Sequence, residues 1–310
     1  MIENAKIDIV IVNWNSGHQL RDCIESVRRF HCGVVRRCIV VDNGSTDASA
    51  DFLKSAGDIE VLSVGSNLGF AAGCNLGAAR GDSPYILLLN PDACLLAGTL
   101  IPPLEYMQAA QNTQVGIVGV QLVDEHGAVQ RTCAHFPRPW HFFASAFGLS
   151  VAIKSFDFKM VTWDHLETRF VDHVIGAFFL VRREIYSMLG GLDERFFVYL
   201  EDVDFSLRAS GLGYRSAYLS HVSVYHKGGG VSEQVKAVRL FYSRRSRIQY
   251  AYKHFSLISA VGVSASMLLV EPLVRAIFLV IKRRWVELPD LWRGYVMLWG
   301  WAWAHRQGRA

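Results

Sequence analysis

The 310-residue chain lacks the signatures of several common architectures. Its six cysteines (Cys23, Cys32, Cys38, Cys74, Cys94, Cys133) form no CxxC pair and no metal-ligand spacing. That excludes a disulfide framework and a thiolate metal site, and they read as reduced, mostly buried thiols of a cytosolic protein. No GxGxxG follows the first apolar run, where the chain reads NWNSGHQL, which excludes a dinucleotide oxidoreductase. No GxxxxGKS/T occurs, which excludes a P-loop enzyme. Internal repeats and low-complexity tracts are absent. The opening MIENAKIDIVIVNWN carries acids and one lysine before a short apolar run, so it reads as a first strand and not a secretory signal. Long uncharged runs are also missing. Ser256 to Val270 spans 15 residues, short of the roughly 20 that a spanning helix needs. Glu271, Pro272 and Arg275 follow, then AIFLVI and Lys282-Arg283-Arg284. This tail reads as helices lying on, or partly inserted in, a membrane interface in preference to crossing it.

What is present is a core-forming composition. Hydrophobic residues make up 51% and charged residues 19%, which rules out disorder. Charge is unevenly spread. From Lys236 onward, 13 Lys and Arg stand against three Asp and Glu, while the rest of the chain holds 19 against 25. An acidic body with a basic, apolar tail suits a catalytic domain beside an anionic membrane surface. Nucleic acid is the competing partner for a basic tail, and the Leu, Val, Ile and Trp of this one argue against it.

Strand and helix patterns alternate. Strands are expected at Ile7–Asn13, Arg37–Asp42, Ile59–Val64, Pro84–Asn90 and Val115–Val123, with helices at His18–Phe30, Thr46–Ser55 (capped by Ser45 or Thr46), Phe70–Arg80 and Leu96–Asn112. Near-continuous apolar strands predict a mostly parallel α/β sheet with helices on both faces. Such sheets bind ligands beyond the carboxyl ends of their strands, where Asn13, Asp42 and Asn90-Pro91-Asp92 all fall. His135 to Phe158 reads as an aromatic, mobile loop or lid. His173–Arg183 is expected to form a strand leading into a helix, Gly190–Tyr214 a turn and a helix ending at Gly211, Ala217–Gly230 a strand with a glycine loop, and Val235–His254 a basic helix. The expected division is a domain over residues 1–254 and a basic, apolar helical tail over 255–310.

Six stretches in order, IVNWNS, VVDNGSTD, NLGFAAGCNLG, LLLNPDA, GAFFLVRR and GGLDERFFVYLEDVDFSLR, together resemble glycosyltransferase family 2 over roughly Ile7 to His254. These are inverting nucleotide-sugar enzymes of GT-A fold. Within the family the chain is most similar to the bacterial rhamnosyltransferase branch, which builds cell-surface polysaccharide on lipid carriers. The resemblance implies a nucleoside diphosphate sugar donor, dTDP-rhamnose first, and a polyprenyl-diphosphate-linked acceptor. It also implies a Mg²⁺ or Mn²⁺ cofactor and work at the cytoplasmic face of the plasma membrane. A transferase of another sugar, UDP-linked hexose or galactofuranose, and a non-catalytic nucleotide-sugar-binding membrane scaffold remain alternatives. A nucleotidyltransferase would carry a glycine- and arginine-rich first loop that is absent here.

The resemblance also implies site residues. Asp42 would take hydrogen bonds from the base or ribose, with Asn13 and Asn15 framing the base; the alternative for Asp42 is an Asx-turn. Asp47 reads as a first-turn helix acid. Asn67, Gly69 and Asn75 would face the nucleotide, or else serve close helix–sheet packing. Asn90-Pro91-Asp92 stands where many members carry Asp-x-Asp, leaving Asp92 as the main carboxylate for a cation bridging to the diphosphate. His226 is the family-like third ligand, or a structural histidine. Asp202 is the expected base, which takes the acceptor's proton, with Glu201 and Asp204 supporting it, capping the helix or pairing with Arg208. The mutual repulsion of three acids in four positions would suit a base. Arg244, Arg245 and Arg247 would touch donor or lipid phosphates, or form a basic face. Arg182 and Arg183 read as a surface pair, or one of them orders the acids. Gly176 and Ala177 would let the acceptor approach, and the run from Gly228 would close over the diphosphate.

Overall fold

A computed structural model describes residues 6–228 and 236–306. The chain divides into two compact units, one of residues 1–136, 163–197 and 201–231 and the other of 137–162, 198–200 and 232–310. The division differs from the boundary at 254/255. The 236–254 helix clusters with the helices that follow it, and 137–162 joins them.

The first unit is a sheet with helices. Its strands are β1 (Ile7–Asn13), β2 (Val35–Asp42), β3 (Glu60–Ser63), β4 (Tyr85–Leu89), β5 (Ala93–Leu95), β6 (Val115–Val123), β7 (Val129–Gln130), β8 (Arg169–Val171), β9 (Phe178–Arg182) and β10 (Arg215–His226). Its helices are α1 (Gln19–Phe30), α2 (Phe70–Ala78), α3 (Ile101–Gln108), α6 (Arg183–Met188) and α7 (Glu201–Gly211). The sheet order is β3-β2-β1-β4-β9-β6-β10-β5. Its β3-β2-β1-β4 half is parallel, as the apolar runs predicted. The other half is mixed, because β9 runs antiparallel to both β4 and β6. Every residue of β1 is buried, which explains its apolar run between Asp8 and Asn13.

Register decides where the polar ends go. Asn13 pairs with Asp42 and Asp42 with Ser63, so the ends of β1, β2 and β3 are level. After a break in its register against β6, between Leu219 and Ser223, β10 pairs with β6 on one edge and with antiparallel β5 on the other, Ala93 opposite His226. The residue before Ala93 is Asp92.

Local expectations were corrected in several places. Thr46–Ser55 holds only a 3₁₀ turn over Asp51–Ser55, because Ser45 and Asp47 are bound into the loop after β1 instead of capping a helix. The Leu96–Asn112 helix starts at Ile101, after the short strand β5. His173 to Ala177 precede β9 as irregular chain. Arg182 and Arg183 are neither a surface pair nor acid-cluster partners. Arg182 binds the carbonyls of Val115 and Met107. Arg183 pairs at 2.7 Å with fully buried Asp8 of β1, which also accepts from the amide and hydroxyl of Ser83.

The second unit is helical: α4 (Pro139–Ala146), α5 (Leu149–Ala152), α8 (Lys236–His254), α9 (Leu257–Ala265), α10 (Glu271–Ile281) and α11 (Leu288–Arg306). The aromatic stretch expected as a mobile lid is thus largely helical, and Phe142 of α4 is fully buried against Phe158, Tyr250 and Phe255. Pro272 does not break the tail. A π-helical turn over Ser266–Val270 joins α9 to α10 in a 25-residue helix, Leu257–Ile281. Pro272 has no N–H for the Leu268 carbonyl, and the Trp299 indole donates to that carbonyl at 2.9 Å.

Candidate active site

Asn13 is fully buried where β1 ends. Its Nδ2 donates to Asp42 Oδ1 at 3.2 Å, Ser45 Oγ at 3.0 Å and Ser49 Oγ at 2.9 Å, and Ser16 Oγ donates to its Oδ1. Asn15 sits in the left-handed region at φ 49° and accepts from the amides of Thr46 at 2.7 Å and Asp47 at 3.2 Å. Both asparagines therefore tie the loop after β1 to the loop after β2, and Asn13 has no group left to frame a base. Asp42 Oδ1 takes the Asn13 side-chain amide and the Ser45 backbone amide, at 3.2 and 3.4 Å, local turn contacts, while its Oδ2 has no partner among the described residues. Asp47 is a loop tie, accepting from the amides of Gly17 and Ser49.

The loop before α2 is held by a residue the sequence reading passed over. Asn43 is buried, donates to Asn67 Oδ1 at 3.0 Å and to the Gly69 carbonyl at 3.1 Å, and accepts the Leu68 amide. Asn67 in turn accepts from the Gly69 amide at 2.9 Å. Gly69, at φ 91°, leaves no space for a side chain: a Cβ there would lie 2.5 Å from the Phe197 carbonyl. Asn75 is fully occupied by protein. It donates to the Leu192 carbonyl and Glu194 and accepts from the Leu192 amide and the Tyr186 hydroxyl. It fixes the Gly190–Glu194 turn and does not face an open nucleotide site.

Asp92 and His226 meet as the β5–β10 register requires, with Nε2 to Oδ1 at 3.5 Å. Gln130 of β7 sets the imidazole. Its amide nitrogen donates to the His226 carbonyl at 2.7 Å, which turns its oxygen toward His226 Nδ1 at 2.9 Å. Nδ1 must then carry the proton, leaving the Nε2 lone pair directed at the Asp92 carboxylate. Carboxylate oxygen and bare imidazole nitrogen side by side fit a divalent cation. Among the described residues no third His, Cys, Asp or Glu joins them, so the remaining ligands would come from diphosphate and water. Gln130 had no sequence signal, being half of a two-residue strand. The Asn90 side chain makes no hydrogen bond to the described residues, but its amide donates to the Ala177 carbonyl at 3.1 Å.

The acidic cluster opens α7, directly after two non-glycine residues in the left-handed region, Tyr199 at φ 71° and Leu200 at φ 68°. Such backbone costs about 1–3 kcal/mol per residue and concentrates at functional sites. The three acids separate by face. Asp204 is fully buried and pairs with Arg208 at 2.8 Å. Glu201 is 5% exposed and its Oε2 has no partner among the described residues. Burial, and then the charge of Asp202, push its carboxyl well above the usual carboxylate range, so Glu201 is the protonated member. Asp202 alone keeps an open side, its side chain 14% exposed. Its Oδ2 accepts from the Gly176 amide at 2.9 Å and its Oδ1 from the Val203 amide at 2.8 Å. Gly176 thus serves by its N–H. Behind Asp202 lies buried His173, Nε2 3.6 Å from Oδ2, a neighbour without a motif to announce it.

Arg244, Arg245 and Arg247 lie in the helical unit. Arg244 is 6% exposed and bound to Glu271 through Nε at 2.9 Å and Nη2 at 2.8 Å, so it is a structural cation and not a free phosphate contact. Arg245 lies over the Trp301 ring at 5.6 Å, and Arg247 donates to Ser145 at 2.7 Å. Of the glycine run, Gly229 and Gly230 lie outside the described residues.

The chain is 27% identical over 208 residues to N-acetylglucosaminyl-diphospho-decaprenol L-rhamnosyltransferase of Mycobacterium tuberculosis, a match covering 61% of this chain and 65% of that protein. Two solved structures share the fold. A mannosyltransferase of Pyrobaculum calidifontis in complex with GDP-Man and Mn²⁺ superposes with a TM-score of 0.52 at 16% identity, over 94% of this chain and 86% of that one. GalNAc-T7 with UDP, GalNAc and Mn²⁺ gives 0.54 at 14%, over 84% and 54%. The sheet is accordingly of the GT-A type expected from the sequence. The profile of Glycosyl transferase family 2 matches residues 8–189, more than half of the sequence, and the chain belongs to that family.

Proposed function

We propose that the protein transfers a sugar from a nucleoside diphosphate sugar to a lipid-linked saccharide with inversion, in a single displacement. One observation carries this reading. The Asn90 amide binds the Ala177 carbonyl, and the amide of the adjoining Gly176 binds Asp202. Two consecutive residues therefore tie the Asp92–His226 loop to the one open carboxylate of the acidic cluster, which suits a donor diphosphate at one and an acceptor hydroxyl at the other.

In this reading the free Oδ2 of Asp42 accepts from the base or ribose, at a level fixed by Asn13. Asp92 and His226 would hold Mg²⁺ or Mn²⁺, which when bound would neutralise charge on the leaving diphosphate. Asp202 removes the acceptor's hydroxyl proton as that oxygen attacks the anomeric carbon from the face opposite the phosphate. The bond to phosphate breaks and nucleoside diphosphate leaves. Rhamnose from dTDP-rhamnose, on a polyprenyl-diphosphate sugar, is the preferred pair; the mycobacterial relative's name supports the rhamnosyl group and the lipid-diphosphate acceptor. The helical unit supports a place at a membrane surface, and the cytoplasmic side is the reading that a nucleotide-sugar donor favours. Ile258, Leu269, Ile281, Val286 and Trp303 are all exposed, in the same stretch of chain that carries the cations Lys282, Arg283 and Arg284. A cavity of about 330 Å³ is lined by Val274, Phe278, Lys236, Lys282 and Arg284, with Glu287 paired to Lys236 and Arg284, and would take a lipid-borne phosphate chiefly through Lys282. Leu257–Ile281 is long enough to cross a bilayer, yet its Glu271 is buried in an ion pair, which favours lying on the interface.

The test is release of nucleoside diphosphate by the detergent-solubilised chain with Mn²⁺, over a panel of nucleotide sugars, with and without polyprenyl-diphosphate sugars. Acceptor-dependent release from dTDP-rhamnose is the expected result. Release from a UDP sugar alone would replace the donor, and donor binding without release from any pair would sink the catalytic reading.

A further inference from the structure

His173 is 3% exposed and its main chain is pinned by a two-bond bridge to Ala134, at 3.2 and 3.1 Å. Its ring lies between Ser206 Oγ, 3.3 Å from Nδ1, and Asp202 Oδ2, 3.6 Å from Nε2. The tautomer follows from counting protons. A serine hydroxyl has one, and Ser206 directs it at the Asp202 carbonyl at 2.9 Å. Ser206 Oγ can therefore only accept from the ring, so Nδ1 carries the hydrogen. Nε2 is left bare and turned toward a carboxylate oxygen, which is itself an acceptor. Two acceptors 3.6 Å apart, just beyond hydrogen-bond distance, become partners once one proton is added between them.

We propose that His173 is the residue that holds, through Asp202, the proton taken from the acceptor hydroxyl. The inference rests on Asp202 being the base. The acceptor O–H breaks, the Asp202 O–H forms, and that proton is shared with or passed to Nε2. The resulting imidazolium keeps its Nδ1–H on Ser206, and the carboxylate is restored beside it. The surroundings suit a ring that is neutral at rest. Burial lowers the proton affinity of His173, while Asp202 and Asp172 raise it. Glu201, which faces Asp202 from its own helix, is already protonated, and the buried Cys74 thiol beside both acids is held neutral by desolvation.

The first measurement needs no substrate: long-range ¹H–¹⁵N spectra of the full chain in detergent, with His173→Gln to assign the signal. The expected result is an Nδ1–H ring at pH 7 that takes up its proton about 1–3 pH units lower in Asp202→Asn than in the natural protein, because the neighbouring charge is gone. An Nε2–H ring, or a midpoint indifferent to Asp202→Asn, would overturn the proposal. Kinetics give the second arm. His173→Gln keeps a hydrogen-bonding side chain but no basic nitrogen. It should lower kcat at least about tenfold, short of the 10²–10⁴-fold typical of losing a base. The donor KM should be unchanged and the acid limb of the pH profile should move to lower pH. A role in packing alone would lower the plateau without moving the limb. Full turnover in Asp202→Asn would instead defeat the reading of Asp202 as base, so the two failures are told apart.

Discussion

Two glutamates, one in each unit, are almost equally buried and behave in opposite ways. Glu201 is 5% exposed and Glu271 is fully buried. Burial pushes both carboxyls up. At Glu201 the next influence is the like charge of Asp202, and the group is driven further up. At Glu271, Arg244, then Arg275 and Arg247, override burial and hold the carboxyl down to about 2. The neighbours, and not the depth, decide the charge. They also separate two uses of a buried acid. At Glu271 neighbouring arginines offset the charge and fix a geometry. At the start of α7, Glu201 and Asp202 have no such arginine among the described residues, and there one carboxylate stays open.

The largest effect that tests this comparison is on turnover. Asp202→Asn should lower kcat by about 10²–10⁴-fold, the scale of a lost general base. The thermal midpoint should change little, because the amide oxygen still accepts from Gly176 or Val203. A variant that melted early at full rate per folded molecule would make Asp202 a structural acid like Glu271, and the contrast would fail.

Next is Glu271→Gln, which keeps the shape and removes the charge from between Arg244 and Arg275. Removing one partner from a buried pair costs about 3–5 kcal/mol, and urea unfolding at pH 7 should show a loss of that order. The sign with pH follows from the lowered carboxyl. Its stabilisation is complete above 4.5, the ordinary value, and is lost as the pH falls toward about 2. The gap between the natural chain and the variant should therefore close on acidification. A gap independent of pH would mean that packing, and not charge, holds Glu271.

A smaller effect tests the bare nitrogen of His226. Gln130→Ala frees the ring to turn, and loss of such an outer partner typically weakens metal affinity by about 10–100-fold. Calorimetric titration with Mn²⁺ and nucleoside diphosphate measures it. Unchanged affinity would remove Gln130 from the site and leave the tautomer unexplained.

How far the sequence disclosed these sites follows from the range of the interactions. The parallel half of the sheet and the polar strand ends at Asn13, Asp42 and Asp92 were legible, because apolar runs and turn residues are local signals. So was the Asp204–Arg208 pair, at helical spacing. The joining of Asp92 to His226 rested on family resemblance alone, since the pairing of β5 with β10, far apart in sequence, produces it. Asn75 and Arg183 were misassigned because their partners, Leu192 and Asp8, are more than 100 residues distant. His173 carried no pattern at all, and only the ring's two neighbours give it meaning.

The last test applies the same substitution at the other glutamate and reverses its sign. A carboxyl that is protonated in the folded chain but ionised in the unfolded one costs stability at neutral pH. Here the folded value is raised above the ordinary 4.5. The group's favourable contribution is therefore complete only below that value and fades as the pH rises through the raised one. Glutamine copies the protonated acid and has no such dependence. Glu201→Gln should thus unfold at the same or higher denaturant at pH 7, with a gain of roughly 1–2 kcal/mol that vanishes near pH 4. Each pH unit of raised proton affinity is worth about 1.4 kcal/mol, so even a modest gain reports a substantial displacement. A loss at pH 7 would mean that Glu201 is ionised and bound by a cation, which would make it a second Glu271.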